Sequence, residues 1–169
     1  MAAQDQGGTY ERAVAELGAG VKVSHWMWFV FPQVAGLGRS AMAREFAISA
    51  VAEARAYLAH PVLGPRLREC ASIVASTEGR SAERIFGPVD AMKLRSSMTL
   101  FAAADTPAAD TPAADTPADG TADARTADAV TADARTAEVR AGQAGPNVFR
   151  SVLAKHFGGE PDEATLARL

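Results

Sequence analysis

Ser24-His25-Trp26-Met27-Trp28-Phe29-Val30-Phe31-Pro32-Gln33 holds both tryptophans of the chain and two of its seven phenylalanines, beside one of its three histidines. Large aromatics supply much of the packing energy of a small domain, so this run belongs at the centre of the fold. Every position from Trp26 to Phe31 is apolar, a pattern that suits a buried helix and a central strand alike. Ser24 as a cap and Pro32 as a terminator favour the helix. No alternating stretch elsewhere offers a partner strand, and a lone strand is not stable. The fold class that follows is all-α, a single helical domain of seven to eight helices.

Outward from that run, helical signals recur on both sides. Tyr10 to Leu17 forms a short helix with Thr9 as its cap and Gly18 beyond its end. Ser40 caps a helix to Ile48, and Ser49 caps another over 50–59 with Val51, Ala54 and Leu58 on one stripe. Pro61 opens the next, where Leu63, Leu67, Cys70 and Val74 fall at helical spacing. Ser81 to Phe86 is stopped by Gly87 and Pro88. Residues 91–101 place Leu94, Met98 and Phe101 on one face. Val148 to Phe157 ends at Gly158-Gly159, and Asp162 caps a last helix over 163–169.

The interval between Phe101 and Phe149 reads differently. Threonine recurs every fifth residue from Thr106 to Thr136, and the interval has no aromatic, Leu, Ile or Met. A five-residue period advances about 140° around a helix, so like residues never gather on one face. With little to bury, ordering has no core to offset its entropy. Residues 102–144 therefore read as a disordered low-complexity insert, and 1–101 with 145–169 as the helical domain. The insert carries eight acids and three arginines, which leaves the rest of the chain at +2 against an overall −3. That balance supports neither a nucleic-acid stripe nor a membrane surface. No segment reaches the roughly 20 apolar residues of a bilayer span, and Met1 to Gly8 has no signal-peptide pattern. Cys70 is alone and sits on an apolar stripe, as a core thiol does. The expected compartment is the cytoplasm.

These motifs carry a resemblance. The aromatic run, then Gly36-Leu37-Gly38-Arg39-Ser40, Glu53-Ala54-Arg55-Ala56-Tyr57-Leu58, Ile85-Phe86-Gly87 and Lys93-Leu94-Arg95-Ser96-Ser97-Met98-Thr99-Leu100-Phe101, resemble the bacterial "domain of unknown function 1810" family. The likeness resumes at Val152-Leu153, Phe157-Gly158-Gly159 and Asp162, Thr165, Leu166. It implies a mainly helical single domain and no established activity. Some members carry the label calpastatin, and nothing in this chain looks like a calpain inhibitor. The repeat block stands where relatives have a short connection, and relatives usually have a further helix before the position of Gln4.

Candidate chemistry is sparse. His25 is the best candidate for acid–base work, since its side chain titrates near neutral pH; its other reading is a residue that orients the aromatic segment. Trp26 and Trp28 offer rings for stacking, or core. Gly36 to Ser40, with Arg39, has the outline of a phosphate cradle, though it lacks a third glycine and a preceding strand; an ordinary turn with Ser40 as helix cap is the competing reading. Lys93, Arg95, Ser96, Ser97 and Thr99 make the densest polar set, with Lys93 and Ser97 on one helical face. His60 and His156 read as helix-end residues that suit a C-terminal dipole. Three histidines and one cysteine at wide spacing form no metal signature, and no cofactor motif is present.

Two functions follow as expectations. The first is a helical domain that binds an anionic small molecule, a nucleotide or ADP-ribose-like ligand, through Trp28, Arg39, Ser40, Lys93, Ser96 and Ser97, with His25 as the catalytic candidate. The alternative is a non-enzymatic protein-interaction or stress-related module with an exposed apolar patch.

Overall fold

The computed structural model describes residues 2–106 and 147–169, and all of its regular structure there is helical. In chain order these are α1 (Ala2–Asp5), α2 (Thr9–Gly18), α3 (Met27–Val30), α4 (Ala41–Glu45) and α5 (Val51–Ala59), then α6 (Leu63–Ser76), α7 (Ala82–Phe86), α8 (Pro88–Ala104), α9 (Val148–Phe157) and α10 (Glu163–Leu166). The all-α class is correct. Among the described residues the only strand-like feature is an isolated parallel bridge between Val34 and Ile48.

α8 is the central element, with Leu94, Met98, Leu100 and Phe101 buried. α5, α7, α9 and α10 pack on it, and α6 bridges α2, α5 and α9. The predicted stripe on α6 is real: Leu67, Cys70 and Val74 are buried and Leu63 is half-buried. Trp26 and Phe31 are fully enclosed and meet Phe86 in edge-on pairs at 6.2 Å. Phe101 joins Tyr57 and Phe149 in a second aromatic group. Gly64 lets α6 approach α5, because a Cβ there would lie 2.1 Å from the Leu58 carbonyl oxygen.

Several local expectations need correction. The aromatic run is helical only over the single turn of α3, and Ser24 does not cap it. Ser24 instead gives both its amide and hydroxyl to Glu16. α4 stops at Glu45, because Ile48 beyond it accepts from the Ala35 amide and donates to the Gln33 carbonyl, on either side of Val34. Ser49 stands one residue before the α5 cap position and bonds the Glu53 carboxylate. α7 does end at Phe86 before Gly87, but α8 begins at Pro88 and not at 91, since the missing N–H of a proline costs nothing in a first turn.

His60 serves two helices. It ends α5, where its amide bonds the Tyr57 carbonyl, and its Nδ1 also accepts from the amides of Val62 and Leu63 at the start of α6. His156 bonds the Val74 carbonyl at 3.0 Å, and Lys155 bonds Ala75 at 2.7 Å, so both satisfy the last turn of α6 from α9.

α8 runs three residues beyond Phe101, with Ala102 and Ala104 buried, and Asp105 forms a two-pronged pair with Arg68. The start of the insert at 102 is thus too early, since two of those alanines pack into the core. The remainder of the predicted insert lies outside the described residues. α1 has no sequence signal, being a single turn, yet it is firmly docked. Gln4 is buried, donating to the Phe29 carbonyl at 2.6 Å and to the Tyr57 hydroxyl at 3.3 Å.

Candidate functional site

The residues that combine charge with aromatic surface meet where α3 faces the first turns of α8. Asp90, in the first turn of α8, receives Lys22 at 2.6 Å and Lys93 at 2.7 Å. Burial alone would raise the Asp90 carboxyl, but the two ammonium groups outweigh it and hold it below the ordinary carboxylate value. Each lysine also rests on a tryptophan. Lys93 Nζ lies 4.6 Å from the ring centre of Trp28, and Lys22 Nζ lies 5.2 Å from that of Trp26. Ring faces attract cations, so the two indoles steer the two lysines toward one carboxylate. The triplet carries one net positive charge.

Behind it stands a second fixed charge that the sequence reading did not single out. Glu16, on α2, accepts from the Val23 amide, the Ser24 amide and hydroxyl, and Trp26 Nε1. Partial burial pushes its carboxyl upward, but those four donors prevail and bring it down to about 2. This contact orients the aromatic run from its N-terminal side. The available signal was weak: an acid one turn from the end of α2, followed by a glycine turn and an indole.

The predicted site residues separate into groups. Trp28 and Lys93 are brought into contact. Ser96 is buried against Thr165 on α10 with 2.7 Å between hydroxyls, which is a packing role. Ser97 is wholly buried, and its hydroxyl has no partner among the described residues. Ser40 caps α4 by accepting from the Ala43 amide, and Arg39 is exposed in the preceding turn with its carbonyl bonded to Arg44. Gly36, at φ 86°, needs the left-handed region, and a Cβ on Gly38 would collide with that of Ala43. That loop is a tight turn with a cap. His25 is exposed, between the half-buried Ser24 and the enclosed Trp26. Arg95 and Thr99 secure the C-terminal segment: Arg95 donates to the Glu160 and Pro161 carbonyls, and Thr99 accepts from the Asp162 amide.

Cys70 is enclosed, and burial, helped by Glu69, pushes its thiol up to about 12, so it is no nucleophile. Among the described residues no three potential metal ligands converge, and no helix is long and apolar enough to cross a membrane.

A helical domain with a lysine–indole edge is the class these features define. The family described as "Protein of unknown function (DUF1810)" matches residues 1–130, and the chain belongs to it. The chain is also similar to the conserved hypothetical protein Rv1873 from Mycobacterium tuberculosis, known from a crystal structure at 1.38 Å. The two share 42% identity with a TM-score of 0.71, over 99% of this chain and 91% of that one. No curated protein matches.

Proposed function

We propose that the chain binds an anionic small molecule at the α3–α8 edge, with an aromatic ring on Trp28 and a phosphate or similar group on Lys93. The observation that carries this reading is the Lys93 ammonium 4.6 Å from the Trp28 ring centre. Trp28 is only half-buried, so part of its ring remains open to a stacking partner, and stacking on an indole is worth about 1–3 kcal/mol per base. Lys93 is held by Asp90, but Lys22 also neutralises that carboxylate, so Lys93 can turn to an anion without leaving Asp90 unpaired. A nucleotide or an ADP-ribose-like molecule has both parts. Within this reading His25, three residues before Trp28, remains the acid–base candidate. Ser96 and Ser97 drop out as direct contacts because both are enclosed. A cytoplasmic setting accompanies the proposal, supported by the single, buried Cys70.

The test is thermal unfolding and tryptophan emission with ADP-ribose, nucleotides and inorganic phosphate. A ligand at 100 times its Kd stabilises by about 2.7 kcal/mol. Trp28→Ala and Lys93→Ala should each abolish the response. Absence of any shift with every anion, with emission unchanged, overturns the reading.

One observation favours the interaction alternative. Val23, Val89 and Met92 are 73%, 60% and 65% exposed, and each neighbours a member of the Lys22–Asp90–Lys93 cluster. If this face joins two copies of the chain, sedimentation shows concentration-dependent association that Val89→Glu and Met92→Glu remove.

A further inference from the structure

The geometry points to a separate binding site between α8, α9 and α10, suited to a small amphiphilic carboxylate with an apolar tail. The cavity there measures about 460 Å³, within the range of small-molecule sites. Ala102 and Ala103 from α8 and Leu153 and Ala154 from α9 form its floor, and Pro161 and Leu166 form the far wall. Small side chains on the two long helices leave the space open.

The wall is held at a fixed distance by polar contacts. Ser96 meets Thr165, the Asp162 amide bonds Thr99, and Asp162 in turn accepts from the amide and hydroxyl of Thr165. Arg95 fastens Glu160 and Pro161 from the side. These bonds set where α10 lies, and they leave its one large apolar residue, Leu166, 47% exposed on the rim instead of wedged between α8 and α9. An apolar lining is thereby kept without an apolar filling.

Among the described lining residues, Arg150 is the single charged side chain and Thr99 the single hydroxyl. The Thr99 hydroxyl is already committed, donating to the Arg95 carbonyl and accepting from Asp162. Arg150 reaches Thr106 Oγ1 at 3.3 Å and has no carboxylate within ion-pair distance among the described residues. The floor disfavours sugars and nucleotides, whose hydroxyls would lose water without gaining partners. The planar guanidinium at the mouth matches the two oxygens of a carboxylate. An acyl tail on the floor with its head group on Arg150 satisfies both demands.

The test uses the full chain, isotope-labelled and titrated with sodium octanoate while backbone amide shifts are followed. Shifts should concentrate at residues 102–103, 153–154 and 166. Hexanoate, octanoate and decanoate should bind about fourfold more tightly per added methylene until the groove is full. Arg150→Gln should weaken octanoate at least tenfold and leave octanol unchanged. Ala154→Trp, at an exposed position that tolerates the larger ring, should block both ligands while the melting temperature stays close to that of the parent. Octanoate binding that survives Ala154→Trp, or shifts spread over Val23 and Met92 instead, overturns the site. Unchanged octanoate affinity in Arg150→Gln, or tighter binding of octyl phosphate, overturns the carboxylate assignment.

Discussion

Glu16 shows how one side chain organises a segment many times its size. Four donors converge on its carboxylate, and together they fix the entry of the aromatic run into the core. Because its folded value lies near 2 against an ordinary 4.5, the stability it contributes is complete above about pH 4.5 and is lost as the pH falls toward 2. Glu16→Gln should cost on the order of 2 kcal/mol at neutral pH, since an amide cannot accept all four bonds. The same variant should flatten the acid limb of a pH–stability curve between about 5 and 2, measured by urea unfolding. The adjacent serines of α8 make a second contrast. Ser96 has a buried partner in Thr165, so Ser96→Ala should lose about 1 kcal/mol with that hydrogen bond, while the Thr165 hydroxyl keeps its bond to Asp162. Ser97 has none, so Ser97→Ala should be neutral or raise stability by up to about 1 kcal/mol. Equal losses in both variants, read by the same unfolding curves, would contradict this division.

The helices were largely legible from capping chemistry and period, and the misreadings share a cause. Ser40 and Asp162 are the caps that the sequence indicates, because an oxygen one position before a helix accepts from its third amide whatever surrounds it. Ser24 looked identical in sequence but had a better acceptor eight residues away in Glu16. His60 ends α5 as its place before Pro61 suggests, but its ring also serves the start of α6, which only the folded path shows. The α5–α6 approach is also invisible locally. Gly64 lies inside an amphipathic stretch, where alanine would improve helix propensity by about 1 kcal/mol. With a Cβ 2.1 Å from the Leu58 oxygen, Gly64→Ala should instead destabilise by several kcal/mol. A melting temperature equal to or above that of the parent would show that α5 can retreat.

For the molecule as a whole, α8 links the lysine–indole edge at its start to the acyl-sized groove at its end. The described chain leaves off at Thr106 and resumes at Asn147, and these ends are close. Arg150 reaches Thr106, and the Asn147 amide donates to the Ala102 carbonyl at 3.3 Å. Replacing 107–146 by a short glycine–serine linker should therefore retain cooperative unfolding, with a stability change of about 2 kcal/mol or less from loop closure. The deletion must spare Asp105, whose pair with Arg68 anchors the end of α8. Calorimetry showing a broad, non-cooperative transition in the linked chain would refute this.

Composition, helical spacing and cap residues were enough to establish the all-α class, the core stripe of α6 and the enclosed position of Trp26, because each depends on chemistry within a few residues. They also marked Trp28 and Lys93 as unusual. The pairing of those two, the shared Asp90, the four-donor hold of Glu16 and the groove propped open by hydroxyl contacts belong to tertiary structure. Each joins side chains dozens of residues apart or on different elements, and a linear pattern cannot encode which polar atom finds which partner once both have left water.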